Sequence, residues 1–149
     1  MSMESGLRQG LSELSLSLDD EQIARLLAYL ELLQKWNRVY NLTAVRDPQQ
    51  MLTHHLLDSL AAVPPLQAYR RQHVAHSLLD VGSGGGLPGV VFAICCPDLQ
   101  VHCVDTVGKK AAFIQTAAAQ LRLSNLKSIH ARVEQLQDRY DLISSRAFA

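Results

Sequence analysis

At 149 residues with 48% hydrophobic content, the chain is long enough to bury a core and amounts to about one domain. Its 14 Lys+Arg balance 14 Asp+Glu, and the halves on either side of residue 75 are both close to neutral, which excludes a global basic field for nonspecific nucleic-acid binding. The amino terminus has no basic-then-apolar leader pattern and no apolar run approaches membrane-spanning length, so the expected location is cytoplasmic, without a membrane partner.

In chain order, Ser17 to Gln22 reads as a helix start, with Asp19 as N-cap and Gln22 three residues later. Ile23, Leu26, Leu27, Leu30 and Leu33 follow at helical spacing and predict an amphipathic helix to about Trp36. A second start is sharper: Asp47 can cap, Pro48 suits the first helical position and Gln50 completes the box. That helix presents Leu52, Leu56, Leu60 and Val63 and is expected to stop at Pro64-Pro65. His54-His55 within it point about 100° apart, too divergent to chelate one ion, and no companions complete a ligand set, so no metal is expected. Residues 66–76 are polar and basic, with Arg70-Arg71, and read as a linker.

From Ser77 the pattern changes to short apolar runs alternating with helices. Leu78 to Val81 reads as a strand, Pro88 to Cys96 as a helix ending at Pro97, and Val101 to Asp105 as a second strand. An Ala-rich helix over 108–121 precedes a third strand, Lys127 to His130, and a fourth, Tyr140 to Ser144. Such alternation predicts an α/β fold with a parallel, doubly wound sheet. The expected organisation is a helical cap over 1–65, a linker over 66–76 and a Rossmann-like part over 77–149. Cys95, Cys96 and Cys103 lie in apolar stretches with neither zinc nor disulfide spacing, as reduced core thiols.

The richest motif runs from Asp80 through Gly82, Gly84, Gly85, Gly86 and Leu87 to Gly89, after a strand and before a helix. Four glycines in five positions let the backbone turn sharply and approach a ligand closely. Gly84, Gly86 and Gly89 also satisfy the G-x-G-x-x-G dinucleotide fingerprint, so spacing alone leaves a dinucleotide-binding oxidoreductase domain open. Asp80 favours another ligand, because its carboxylate would repel a pyrophosphate set on the helix start. S-adenosylmethionine, with its ammonium, its sulfonium and no phosphate, fits instead.

Asp105 closes the second strand, 19 residues after Gly86, where a carboxylate can accept both hydroxyls of an adenosine ribose. Its competing reading is a cap for the next helix. Arg132-Val133-Glu134 follows the third strand, either as an adenine contact or as a solvated helix start, and Arg146 follows the fourth. Trp36, Tyr40 and Phe113 read as packing residues, although aromatics beside Lys35 and Arg38 could also stack on an RNA base.

Lys35-Trp36-Asn37-Arg38-Val39-Tyr40-Asn41-Leu42-Thr43, Arg46-Asp47-Pro48 and His55-Leu56-Leu57-Asp58-Ser59 resemble the amino-terminal region of the RsmG family, also called GidB. The glycine run, Gly108-Lys109-Lys110, Arg132-Val133-Glu134 and the final Ile143 to Ala149 match in order, so the resemblance covers nearly the whole chain from about residue 19. It implies a class I methyltransferase fold with a helical extension, and methyl transfer from S-adenosyl-L-methionine to N7 of a guanosine in 16S rRNA, free or in the small ribosomal subunit. Carried over, cofactor contacts fall on Gly82, Leu87, Val133, Glu134 and Arg146, with Asp105 at the ribose; Asp80, Gly84 and Gly86 belong to the same loop. Arg146 and Asn41 are candidates for positioning substrate, and Arg38, Arg46, Lys109, Lys110 and Arg132 for a local phosphate-binding patch. Gly86 as a third consecutive glycine and Lys110 in place of a common arginine are small departures. The family's sheet has seven strands, of which four are read here. A complete sheet implies a monomer; a sheet that stops at its fourth strand implies an open edge, edge-strand pairing and a cofactor-binding fragment with impaired catalysis.

Overall fold

The computed structural model describes residues 2–145, which fall into two compact units divided between Val74 and Ala75.

The first unit is helical. α1 (Met3–Glu13), on which the sequence reading is silent, starts at Ser2, whose hydroxyl accepts from the Ser5 N–H. It buries Leu7 and Leu11, and at Gly10 a Cβ would stand 2.4 Å from a Leu57 methyl, so a larger residue there would require the Leu57 side chain to shift. α2 (Asp20–Tyr40) opens with the expected Asp19–Gln22 capping box and buries Ile23, Leu26, Leu30 and Leu33. It runs one turn past the expected end, to Asn41, which adopts φ 52° and donates its N–H to Asn37 O. A single asparagine tolerates this left-handed turn at a helix end.

Asp47 caps Gln50 and Pro48 takes the first turn as expected, but the segment is α-helical only at α3 (Pro48–Gln50) and α4 (Asp58–Leu60). Met51–Leu57 between them is π-helical. Leu52, Leu56, Leu60 and Val63 are buried as their spacing predicts. The expected stop at Pro64-Pro65 and the linker over 66–76 are corrected, because α5 (Val63–Gln72) starts with both prolines in its first turn. Their missing N–H groups have no helical partner at that position, so a break before them leaves the helix after them intact.

In the second unit β1 (Ser77–Val81), β2 (Gln100–Asp105), β3 (Leu126–His130) and β4 (Leu142–Ser145) pair in parallel in the order β3-β2-β1-β4. α6 (Gly89–Cys95) and α7 (Gly108–Gln120) are the helical crossovers. The register places Asp80 beside Cys103 and Ser144, and Cys103 beside Ser128. Gly89 meets Asp80 and Cys103, and Ser128 donates to Ala111 O at 2.6 Å, so α6 and α7 cover the same sheet face. The buried Asn125 amide donates to the carbonyls of Ala93, Cys96 and Leu99, satisfying the carboxyl end of α6. All three cysteines are buried and none is in a disulfide; burial, with Cys96 beside it, pushes the Cys95 thiol up to about 12. The chain reverses direction across the sheet between β1 and β4, and such a switch point opens a crevice at the carboxyl ends of the strands.

Candidate functional site

The glycine run leaves β1 as a loop held from below by Asp80. That carboxylate is fully buried; one oxygen accepts the Gly89 N–H at 2.8 Å and the other the Ser144 hydroxyl at 3.0 Å. Gly89 has to be glycine, since a Cβ would lie 2.4 Å from Cys103 Sγ and 2.8 Å from Asp80 Oδ2. Val90 N–H, next in the helix, is taken by Gly86 O at 2.7 Å. The start of α6 is thus internally occupied. Asp80 does more than repel an anion there; it takes the place an anion would need.

Within the loop, Gly82, Gly84 and Gly86 have φ of 69°, 58° and 96°. Nothing lies within 4 Å of where a Cβ on Gly84 would be, so a ligand can approach that backbone directly. The N–H of Gly84 points to Asp105 Oδ2 at 3.1 Å, and Asp105 Oδ1 accepts from Val107 N–H at 2.9 Å. Asp105 is not the cap of α7, whose N-cap is Val107 with no side-chain cap, so the helix-cap reading is corrected. Asp105 instead ties the glycine loop to the residues that precede α7, and its carboxylate lies at the edge of a cavity.

The cavity has a volume of about 400 Å³; β1 and β2 contribute Val81, Gly82, Val104 and Asp105, and the turn after β3 contributes Arg132, Val133 and Glu134. Val133 and Glu134 stand on a single 3-10 turn, Val133–Gln135, with Val133 42% exposed. A second hollow of about 330 Å³ shares Thr106, Ala131 and Arg132 and adds His130, whose Nε2 lies 3.0 Å from Thr106 O.

Of the residues expected from sequence, Gly82, Asp105, Arg132, Val133 and Glu134 come together around this cavity, while Asp80, Gly84, Gly86 and Leu87 shape the loop without lining it. Leu87 is buried, as core. Lys109 and Lys110 occupy the first turn of α7, which has neither an acidic residue nor a side-chain cap. Arg38, Asn41 and Arg46 belong to the helical unit, and Arg146 lies outside the described residues. The sequence reading missed Thr106, His130 and Ser144. All three carried a usable signal, since each is a polar residue at or just past the carboxyl end of an expected strand.

The family model for GidB, rRNA small subunit methyltransferase G, matches residues 22–149. The chain is 66% identical to "Ribosomal RNA small subunit methyltransferase G" of Acidovorax ebreus (strain TPSY), over 99% of this chain and 69% of that protein. It is 65% identical to the protein of the same name from Acidovorax sp. (strain JS42), with the same coverage. Among solved structures, coclaurine N-methyltransferase bound to N-methylheliamine and SAH is similar at TM-score 0.49 and 16% identity, over 95% of this chain and 50% of that one. The match of the family model from residue 22 onward, together with relatives about two thirds identical, shows that the chain belongs to the GidB family of rRNA small subunit methyltransferases.

Proposed function

We propose that the chain binds S-adenosylmethionine in the cavity at the ends of β1 and β2 and methylates N7 of a guanosine in 16S rRNA, in the cytoplasm. The observation that carries this reading is Asp105, whose oxygens each accept one backbone N–H and keep further acceptor capacity at the cavity edge. A ribose diol matches that capacity. Val133 offers an apolar surface for a flat ring, and the Glu134 carboxylate an acceptor for an exocyclic amine. The open space over Gly84 suits a ligand lying on the loop, and the occupied start of α6 disfavours a dinucleotide pyrophosphate.

When bound, S-adenosylmethionine supplies a sulfonium methyl that the in-plane N7 lone pair can attack, the carbon–sulfur pair leaving with sulfur and no proton needing removal. The protein's contribution is then alignment and tolerance of the charge passing to the base. Arg132 at the cavity and Lys109 and Lys110 at the start of α7 are proposed to hold RNA phosphate, with Arg38 and Arg46 of the helical unit. Two lysines in a first turn oppose the helix dipole, a local cost that a bound phosphate would offset. Arg146 follows β4 and is proposed to position ligand or substrate.

The test is calorimetric titration of the whole chain with S-adenosylmethionine, with NAD as control. Saturable binding of the methyl donor alone is expected, and Asp105→Asn should weaken it about 10- to 100-fold through loss of charged hydrogen bonds. Equal affinity for NAD, or an unchanged Asp105→Asn, would reject the site. Methyl-labelled donor and intact small subunits should then yield labelled N7-methylguanosine on digestion; label on another atom would reject the N7 assignment.

A further inference from the structure

The helical unit ends α2 with a cluster that packing does not account for. Trp36 and Tyr40, one turn apart, have ring centroids 5.1 Å apart at 38°, and Tyr40 is 41% exposed and Val39 69% exposed. The sequence predicts Tyr40 as a packing residue, and its exposure corrects that. The segment from Leu32 to Arg46 contains Lys35, Arg38 and Arg46 and no Asp or Glu, in a chain whose charges balance as a whole. Lys35 and Arg38 form no ion pair among the described residues, and Arg46 donates to Asn41 Oδ1.

The loop after the helix is held rigidly in place. Asn37, 2% exposed, donates to Val45 O at 3.1 Å and accepts the Thr43 N–H at 2.9 Å. Thr43 Oγ1 pairs with His55 Nε2 at 2.8 Å and accepts the Val45 N–H at 3.3 Å. Three side chains thus lock residues 41–46 between α2 and the π-helical turn, while Tyr40, Asn41 and Arg46 are exposed. Pre-set exposed groups lower the ordering cost of binding.

We infer that the carboxyl end of α2 and the loop pinned by Asn37 form a docking platform for single-stranded RNA, with a base stacked on Tyr40 and phosphates at Lys35, Arg38 and Arg46. Around the exposed side of the helix the order is the Trp36–Tyr40 pair, then Lys35 with Val39, then Arg38, so a strand crossing the helix end meets a ring and then two cations in turn. Stacking on an aromatic ring requires an unpaired base, which is why a single strand fits better than a duplex. This inference rests on the proposal that the chain acts on RNA.

The test is fluorescence anisotropy of the whole chain with a labelled mixed-sequence single-stranded RNA of about 12 nucleotides and a hairpin of the same composition. The unmodified chain should prefer the single strand. Tyr40→Ala should lose about tenfold in single-strand affinity while Tyr40→Phe keeps it. Arg46→Ala should lower the salt slope by about 0.7. An unchanged far-ultraviolet circular dichroism spectrum and urea midpoint for each variant show that the helical unit still folds. RNA binding that is indifferent to Tyr40→Ala and Arg46→Ala overturns the platform and leaves the methyltransferase reading intact. No RNA binding by an unmodified chain that binds the methyl donor overturns both the platform and the assignment of RNA as substrate.

Discussion

The sheet unit and the helical unit both fix an exposed loop with a buried polar side chain, but they use different groups. In the sheet unit Asp80 and Asp105, acceptors only, gather the N–H groups of Gly89, Gly84 and Val107, with the Ser144 hydroxyl on Asp80. In the helical unit Asn37 donates to one carbonyl and accepts from one N–H. The difference arises from the groups that each backbone offers. Where a parallel strand turns into a helix, the chain presents unpaired N–H groups, and a carboxylate meets several of them. A loop folding back over a helix presents a carbonyl and an N–H together, and only an amide serves both. The carboxylate at the cavity also keeps acceptor capacity for a ligand, whereas the amide exposes the groups of the loop it holds.

Replacing the anchors should break this comparison at different depths. Asp80→Ala is expected to be the most damaging, orphaning a buried N–H and a hydroxyl at a cost of about 3 kcal/mol in urea unfolding. A loss under about 1 kcal/mol would mean that the loop does not depend on Asp80. Gly89→Ala should cost about 2 kcal/mol by overpacking against Cys103 and Asp80. Wild-type stability in that variant would show that α6 can slide away. Asn37→Ala should cost about 1.5 kcal/mol, and hydrogen exchange should rise over residues 41–46 while the glycine loop is unaffected. Faster exchange in both loops would contradict independent anchoring.

The smallest effect sharpens a third anchor. Asp141 accepts the N–H groups of His76 and Ser77 at 2.7 and 3.2 Å, and the His76 N–H above all holds its carboxyl below the usual carboxylate range. A depressed folded pKa contributes stability that is complete above the unfolded value of about 3.9 and is lost as pH falls through the folded one. Asp141→Asn should therefore flatten the acid limb of a stability–pH curve without changing its slope near neutrality. An unchanged acid limb would remove Asp141 from the account of acid sensitivity.

Much of the fold is legible in the sequence because its determinants are local. Asp19 and Gln22, and Asp47 with Pro48, mark helix starts by hydrogen bonds within one turn. The four strands are short apolar runs within two residues of their expected places. The misreadings share one cause, which is that packing decides between two locally acceptable outcomes. Pro64-Pro65 suits the end of one helix as well as the start of another, and α5 forms in place of a polar linker. Tyr40 has the spacing of a core residue, yet its ring lies at the border of the buried face.

The candidate site divides the same way. The glycine run, Asp105 and Val133-Glu134 are recognisable by type and position, since the carboxyl ends of parallel strands converge whatever the loops contain. By itself the sequence determined the parallel α/β plan, the family and the cluster of residues around the cavity at the strand ends. Only the tertiary structure decided that Asp80 is sealed against α6, that Asp105 ties two loops at once, and that Asn37 pins a loop in the helical unit. Those facts depend on groups up to 64 residues apart, as Ser144 is from Asp80, and no local pattern encodes which distant donor a buried acceptor will meet.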